Sequence, residues 1–188
     1  MKRFSIVAIF CTAVFLLGIP FLVLAQATGV LKMKTYHHIQ GFSLQIPSSW
    51  AIRENLDFQG FKIPLIVLEP LQGTADDFQE NINVIGEKTA SPYQVEEYLQ
   101  ANVKTMSKTL NSFHSIKADD LNESKRGGKY LIYTHKVDQV KEKVKVIVFF
   151  YTKGTKAYSL TCSSTERDFS RYLSLFMKIG KSFQWIGS

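Results

Sequence analysis

The chain has 188 residues, 45% of them hydrophobic, and a formal net charge of +7. This length predicts one domain with a core of its own, because a chain of this size buries enough apolar surface to fold alone. The positive charge is too modest to indicate nucleic-acid binding, so no nucleic-acid partner is expected.

The N-terminus has the pattern of an export signal. Lys2 and Arg3 precede an uncharged apolar stretch over residues 4–24. Small residues follow at Ala25 and Ala27. A basic start, an apolar middle and a small-residue exit are typical of a secretory signal peptide. The apolar stretch is also long enough to span a bilayer, so a retained membrane anchor is the alternative interpretation.

Both interpretations place residues 28–188 across the membrane, in the periplasm or outside the cell. The domain is then either free or tethered to the inner membrane by residues 4–24. We divide the chain into a signal peptide or anchor over 1–27, a short N-terminal extension over 28–39 and a globular domain over 40–188.

The two cysteines have different expected roles. Cys11 lies inside the apolar stretch rather than after it, so we expect no lipidation there. Cys162 shares strand parity with the apolar residues Tyr158 and Leu160, which predicts a buried core thiol. As the single cysteine after the N-terminal segment, it has no partner for an intrachain disulfide.

The first half of the domain is predicted to form strands. Residues 41–47 alternate apolar and polar side chains, which indicates a half-buried strand ended by a proline. Residues 61–71 form a dense apolar run that contains Pro64. Because proline cannot donate to a strand ladder, this strand is either an edge strand or begins after Pro64. Residues 81–85 alternate again.

Two amphipathic helices are predicted. The first covers residues 91–110, with Ser91 as the N-cap, Pro92 in the first helical position and Gln94 completing a capping box. The second begins near Thr165 and continues to about residue 184.

Between the helices lies a predicted three-strand meander over 129–137, 141–152 and 156–163. In its middle strand, Val144 and the alternate residues after it are apolar on one face, and the other face becomes apolar from Ile147 onward. This half of the strand must therefore be covered on both sides. The fold class is α+β, a mostly antiparallel β-sheet flanked by helices as an α/β/α sandwich.

Four short motifs follow one another along the chain. They are Gly41-Phe42-Ser43-Leu44-Gln45-Ile46-Pro47 with Trp50, Phe78-Gln79-Glu80-Asn81-Ile82-Asn83-Val84, Tyr158-Ser159-Leu160-Thr161-Cys162 and Ser182-Phe183. In this order the motifs resemble the PsbP-like family, which includes DcrB-type envelope proteins and Mog-type Ran-binding factors. The resemblance implies a PsbP-like antiparallel sheet between helices. It also implies a protein that binds partners, because the group has no shared catalytic centre.

Basic residues cluster around the first two strands of the meander. Lys125, Arg126 and Lys129 precede one strand, and Lys141, Lys143 and Lys145 lie on one face of the next. Because a tight hairpin joins these strands, both groups can meet at one end of the sheet. The favoured interpretation is a solvated edge on which lysines prevent aggregation, because edge protection needs no partner. The alternative is a patch that binds an acidic partner or anionic headgroups. The candidate partner-binding residues are Lys125, Arg126, Lys129, Lys141, Lys143 and Lys145.

Catalytic and metal-binding motifs are absent from the sequence. His37 and His38 are adjacent, so in a strand they point to opposite faces and one metal would rarely take both. We expect no metal and no cofactor. The enzyme alternative requires that at least two of a dispersed set of side chains meet in a cleft. That set is Asp76, Asp77, Asp119, His114 and His135.

The sequence therefore predicts an exported, non-enzymatic accessory protein of the cell envelope that acts through protein or membrane-surface contacts. Its partner is an unidentified envelope protein or an anionic membrane surface, and the protein is expected to be a monomer. The alternatives are an envelope enzyme whose site forms only in the fold, and an extrinsic subunit of a photosystem.

Overall fold

The described part of the chain forms ten strands and two helices. The computed structural model describes residues 31–58, 61–73, 78–121 and 127–187. In chain order the elements are β1 (Met33–His38), β2 (Phe42–Pro47), β3 (Ala51–Phe58), β4 (Phe61–Leu68), β5 (Asn81–Lys88), α1 (Val95–Thr109), β6 (His114–Asp120), β7 (Gly128–His135), β8 (Val144–Lys153), β9 (Lys156–Thr165), α2 (Phe169–Lys181) and β10 (Gln184–Trp185).

The strands form two sheets. The larger sheet has seven strands in the order β3-β4-β5-β9-β8-β7-β6, and every neighbouring pair is antiparallel. A smaller sheet has the order β1-β2-β10 and is also antiparallel. The predicted α+β class with a mostly antiparallel sheet is confirmed.

The large sheet is covered on both faces, as the pattern of β8 predicts. Val146 and Val148 pack in one buried cluster with residues of α1, and Ile147 and Phe149 pack in another with residues of α2 and β2. All four side chains are fully buried. Alternation within one strand therefore supplies two separate cores, with α1 on one side and α2 and the small sheet on the other.

The N-terminal boundary of the domain differs from the prediction. Met33–His38, assigned from sequence to an extension, forms β1 and pairs with the whole of β2. Its side chains alternate less cleanly than those of β2, because only one end of β1 is buried. A strand with one solvated face and one solvated edge has little apolar signal for a sequence pattern to detect.

Pro64 lies inside β4, which is neither an edge strand nor a strand that begins after the proline. β4 pairs with β3 from Phe61 onward but with β5 only from Leu65. At Pro64, β4 therefore has no pairing partner in β5. Opposite it, Asn55 has a φ of 52° and falls out of the register with β4.

Both helices begin later than predicted. Tyr93 N–H donates to Gly154 O of the β8–β9 turn at 3.2 Å, so it lies outside the helix and Gln94 rather than Ser91 is the N-cap of α1. β9 continues to Thr165, whose register partner is Val144, so the second helix begins only at Phe169. Neither helix of the described ranges is long and apolar enough to cross a membrane.

Candidate functional site

Lys129 is held by two carboxylates. Its Nζ lies 2.6 Å from Asp120 Oδ1 and 2.8 Å from Glu96 Oε2. The hydrogen bonds to Asp120 and Glu96 raise the pKa of Lys129. The lysine therefore joins α1 to the β6–β7 edge and already has partners for its charge. Lys125 and Arg126, predicted beside it, lie outside the described residues.

Lys141 and Lys143 precede β8 instead of lying within it, so the three lysines do not share one strand face. Both are exposed, and they lie in the connection between β7 and β8. Lys145 is in the strand and half-buried, with its Nζ 5.1 Å from the centre of the Phe169 ring. Because a cation over an aromatic face is attracted to the ring, Lys145 already has a contact within the protein.

Within the described residues, Lys129 does not meet Lys145 at one end of the sheet. Lys129 is opposite Phe150, whereas Lys145 is opposite Thr134, five residues further along β7. That offset corresponds to about 17 Å along the strand. In an antiparallel hairpin the start of the first strand pairs with the end of the second strand. Lys129 lies at the start of β7, and Lys145 lies at the start of β8 beside the connecting loop, so the two lysines are at opposite ends of the hairpin. Whether either group binds a partner stays a prediction.

The dispersed acids and histidines of the enzyme alternative do not converge within the described residues. His114 and Asp119 lie on β6, opposite Thr134 and Tyr130 respectively. His135 is fully buried beside the hairpin. Asp76 and Asp77 lie outside the described residues. Among residues 31–58, 61–73, 78–121 and 127–187, no group of three or more His, Cys, Asp or Glu side chains has the arrangement of a metal site.

A groove of about 330 Å³ lies between the outer face of the small sheet and the end of α2. Cross-strand register explains its floor, since Thr35 is opposite Gln45 and His37 is opposite Ser43. The complete lining consists of Thr35, His37, Ser43, Leu44, Gln45, Lys178, Lys181, Ser182 and Gln184.

The groove carries positive charge and neutral hydrogen-bonding groups. Lys178 and Lys181 lie in the last turn of α2, where the helix dipole favours cations. Ser182 fixes the helix end to the sheet, because its Oγ accepts a 2.8 Å hydrogen bond from Gln45 N–H and donates to Ile179 O at 2.6 Å. The nine lining residues include no carboxylate. This composition suits an anionic group.

The two adjacent histidines of β1 differ as predicted. His37 is exposed and lines the groove, whereas His38 is 5% exposed and stacks on Phe42 with ring centres 4.8 Å apart. Burial lowers the pKa of His38. At neutral pH, His38 is therefore a neutral core residue and His37 is the histidine available to a ligand.

Comparison with protein families identifies the fold. The family model described as PsbP matches residues 32–185. The chain belongs to the PsbP family. By sequence, no curated protein matches it. The resemblance seen in the four motifs is thereby confirmed, and the family match begins one residue before β1, in agreement with the structural boundary.

Solved structures similar to this PsbP-family chain come from different organisms. PsbP of the cyanobacterium Synechocystis sp. PCC 6803 is 18% identical with a TM-score of 0.58, over 87% of this chain and 98% of that one. LpqN of Mycobacterium tuberculosis, described as involved in cell envelope biogenesis, is 12% identical with a TM-score of 0.59, over 83% and 91%. The Saccharomyces cerevisiae Ran-binding protein Mog1p is 10% identical with a TM-score of 0.55, over 83% and 96%. At these identities the likeness shows the fold alone.

The groove of this PsbP-family chain could not be predicted from the sequence, for two reasons. β1 was assigned to an extension, so Thr35 and His37 had no strand partners. Lys178 and Lys181 look like ordinary solvated helix residues when the helix is read alone. The signal available was the pair of lysines three residues apart in the last turn, followed at once by Ser182.

Proposed function

We propose that this PsbP-family protein is an exported, non-enzymatic accessory protein of the cell envelope that acts by binding another protein or the membrane surface. The observation that carries the proposal is the chemistry of the groove, which combines Lys178, Lys181 and His37 with neutral polar groups and lacks a lining carboxylate. Such a surface recognises an anionic group by charge and hydrogen bonds.

Two further observations support the proposal. The sequence begins with the pattern of an export signal or anchor over residues 1–27. Structural relatives with the same fold are described as involved in cell envelope biogenesis and as Ran-binding. Because a fold by itself does not assign a function, these relatives add weight only together with the groove.

Export is tested by fractionating the source cell and sequencing the N-terminus of the protein. We expect the protein in the envelope or the medium, either beginning near Gln26 or Thr28 or retaining residues 4–24 in a membrane fraction. An intact Met1 in the cytosolic fraction would contradict export and with it the envelope role.

Binding is tested by crosslinking in intact envelopes. The wild-type chain is compared with a Lys141→Glu, Lys143→Glu, Lys145→Glu variant, and with a Lys178→Glu, Lys181→Glu variant of the groove. Lys104→Glu, Lys108→Glu on the exposed side of α1 is the matched charge control. We expect crosslinked partners or lipid that the control retains and one of the two test variants loses. Identical crosslinks from all chains would remove both basic surfaces from the proposal.

An enzymatic function is the second candidate, because His37 and Ser43 lie side by side across β1 and β2 and both line the groove. An active serine needs a base that takes its proton and a group that orients that base. No carboxylate among the lining residues is placed to orient His37. Serine-directed fluorophosphonate labelling of the native protein checks the idea, and labelling that Ser43→Ala abolishes would favour the enzyme.

A further inference from the structure

Exposed apolar side chains are concentrated at one end of the small sheet. Ile39, in the turn between β1 and β2, is 92% exposed, and Ile186, directly after β10, is 40% exposed. They flank the same turn, because Gly41 N–H donates to His38 O at 3.0 Å and Ile186 N–H donates to Gly41 O at 2.8 Å. Only four large apolar side chains of the described residues are exposed, and this end carries two of them.

The basic groove adjoins this apolar end. His37 and Gln184 are both opposite Ser43, one residue pair away from the turn. Lys178 and Lys181 form the other wall, and both are exposed. Apolar side chains that project beside a cationic recess form the arrangement by which peripheral proteins bind anionic lipid surfaces.

We propose that this end of the small sheet docks on an anionic phospholipid bilayer, with Ile39 and Ile186 inserted at the interface and a headgroup phosphate in the groove beside His37, Lys178 and Lys181. The inference rests on the proposed envelope function and names the surface that is bound. Lysines supply attraction to the negative leaflet, and isoleucines supply the apolar contact that holds the protein there.

The position of the N-terminal segment favours a bilayer over a protein partner. The chain before residue 31 leads directly into the small sheet. If residues 4–24 are an anchor, the connection over 25–30 reaches at most about 20 Å. The chain enters β1 at Met33, and the turn with Ile39 lies at the other end of this six-residue strand, about 20 Å away. A tether of this length therefore holds the domain at the bilayer and leaves the groove and the apolar end able to reach the lipid.

The test uses the full chain, purified in the form the cell produces, with Cys11→Ser to leave one buried thiol. An environment-sensitive NBD probe is attached at Ile39→Cys and, as the control, at Ile116→Cys. Ile116 is 46% exposed on β6, which is one edge strand of the large sheet. The other edge strand, β3, is the one that contacts the small sheet, because its Glu54 accepts a hydrogen bond from Tyr36 of β1. The control probe therefore lies at the edge far from that contact. Vesicles containing phosphatidylglycerol are compared with pure phosphatidylcholine vesicles and with free inorganic phosphate.

We expect blue-shifted, brighter emission from the Ile39 probe with anionic vesicles and unchanged emission from the Ile116 probe. Lys178→Glu, Lys181→Glu should weaken apparent vesicle affinity at least about tenfold, as should Ile39→Ser on the unlabelled chain, measured by co-sedimentation. Lys104→Glu, Lys108→Glu changes the net charge equally and should leave binding close to that of the wild type.

Several outcomes would overturn the inference. One is an Ile39 probe that does not respond to anionic vesicles, and another is an equal loss in both lysine pairs, since binding would then follow net charge alone. Saturable binding of free phosphate without vesicle binding would assign the groove to a soluble anion. A protein crosslinked at Ile39 in envelopes, with no vesicle response, would assign this end to a protein partner and leave the proposed accessory function standing. Cytosolic localisation would instead defeat the proposed function, whatever the purified protein does with vesicles.

Discussion

The ring of Phe149 on β8 lies against the backbone of Gly180 in the last turn of α2. A Cβ added to Gly180 would be 2.4 Å from both Cε1 and Cζ of Phe149, a distance that real Cβ atoms do not adopt. Tyr151, two residues along β8, donates its hydroxyl to Gly180 O at 2.6 Å. The glycine therefore lets α2 approach the large sheet closely enough for both contacts.

We expect Gly180→Ala to lower the free energy of unfolding by about 1–3 kcal/mol, because the fully buried Phe149 ring would have to shift to admit the added Cβ. The higher helix propensity of alanine offsets less than about 1 kcal/mol of this cost. Urea denaturation at pH 7 measures the difference. Ser174→Ala, on the exposed side of α2, is the control and should change stability by less than about 0.5 kcal/mol. A Gly180→Ala protein as stable as the wild type would contradict the close packing.

Phe183 joins the large sheet to the small one through ring contacts. Its ring stacks on Tyr151 with centres 4.1 Å apart and an interplanar angle of 8°, and it meets Trp185 edge-on at 5.5 Å. It is 3% exposed. We expect Phe183→Ala to cost about 3–5 kcal/mol, measured as a shift in the urea midpoint. Phe183→Leu, which keeps most of the apolar volume, should cost less than half as much, because burial supplies most of this stability. Equal costs for the two variants would contradict that expectation and show that leucine cannot replace the stacked ring.

Sequence periodicity was sufficient for the parts of the fold that depend on burial. β8 is the clearest example, because Val146 and Phe149 belong to two separate cores and their alternation shows in the sequence. Cys162 is another, since its strand parity predicted the full burial that the structure has. A buried face constrains residue type at every second position, and such a constraint can be read without coordinates.

The candidate site was less predictable, because it depends on register and on contacts between distant segments. The prediction that Lys129 and Lys145 meet was based on the tight hairpin between their strands. The register instead places Lys129 near the start of β7 and Lys145 of β8 opposite Thr134, near the end of β7. The groove needs His37 of β1 and Lys181 of α2 to be adjacent, although 144 positions separate them in the sequence. Polar residues on solvated faces show no periodic constraint, so no pattern marks such a pair in advance.

The thiol of Cys162 provides a test of the core beneath α2. It is fully buried in the cluster that contains Phe149, and burial raises its pKa well above the ordinary value. Because the thiolate is the reactive form, we expect labelling of the native Cys11→Ser chain by DTNB at pH 8 to be slow and to become fast in urea. Cys162→Ala gives the background. Equal rates in the native and unfolded protein would reopen a redox function for this thiol.

His135 should make the protein sensitive to acid. The side chain is fully buried, its Nδ1 lies 3.3 Å from Lys136 O, and its Nε2 has no hydrogen-bond partner among the described residues. Burial lowers the pKa of His135 to about 4, and the contact with the Lys136 carbonyl only partly opposes this shift. The imidazole is therefore neutral in the folded protein at pH values where it is already protonated in the unfolded chain.

The direction of the pH dependence follows from this difference. Above about pH 6.5 His135 is neutral in both states, so its contribution to stability is complete. Between about pH 6.5 and 4 the unfolded chain binds a proton that the folded protein does not, and stability falls by up to about 3 kcal/mol. We expect His135→Leu to remove this part of the pH dependence while other acid-sensitive groups, such as Asp168, continue to contribute in both proteins. Urea denaturation at pH 7 and pH 4.5 measures the change for each chain, and an equal loss of stability in wild type and variant would show that His135 is not the group that titrates.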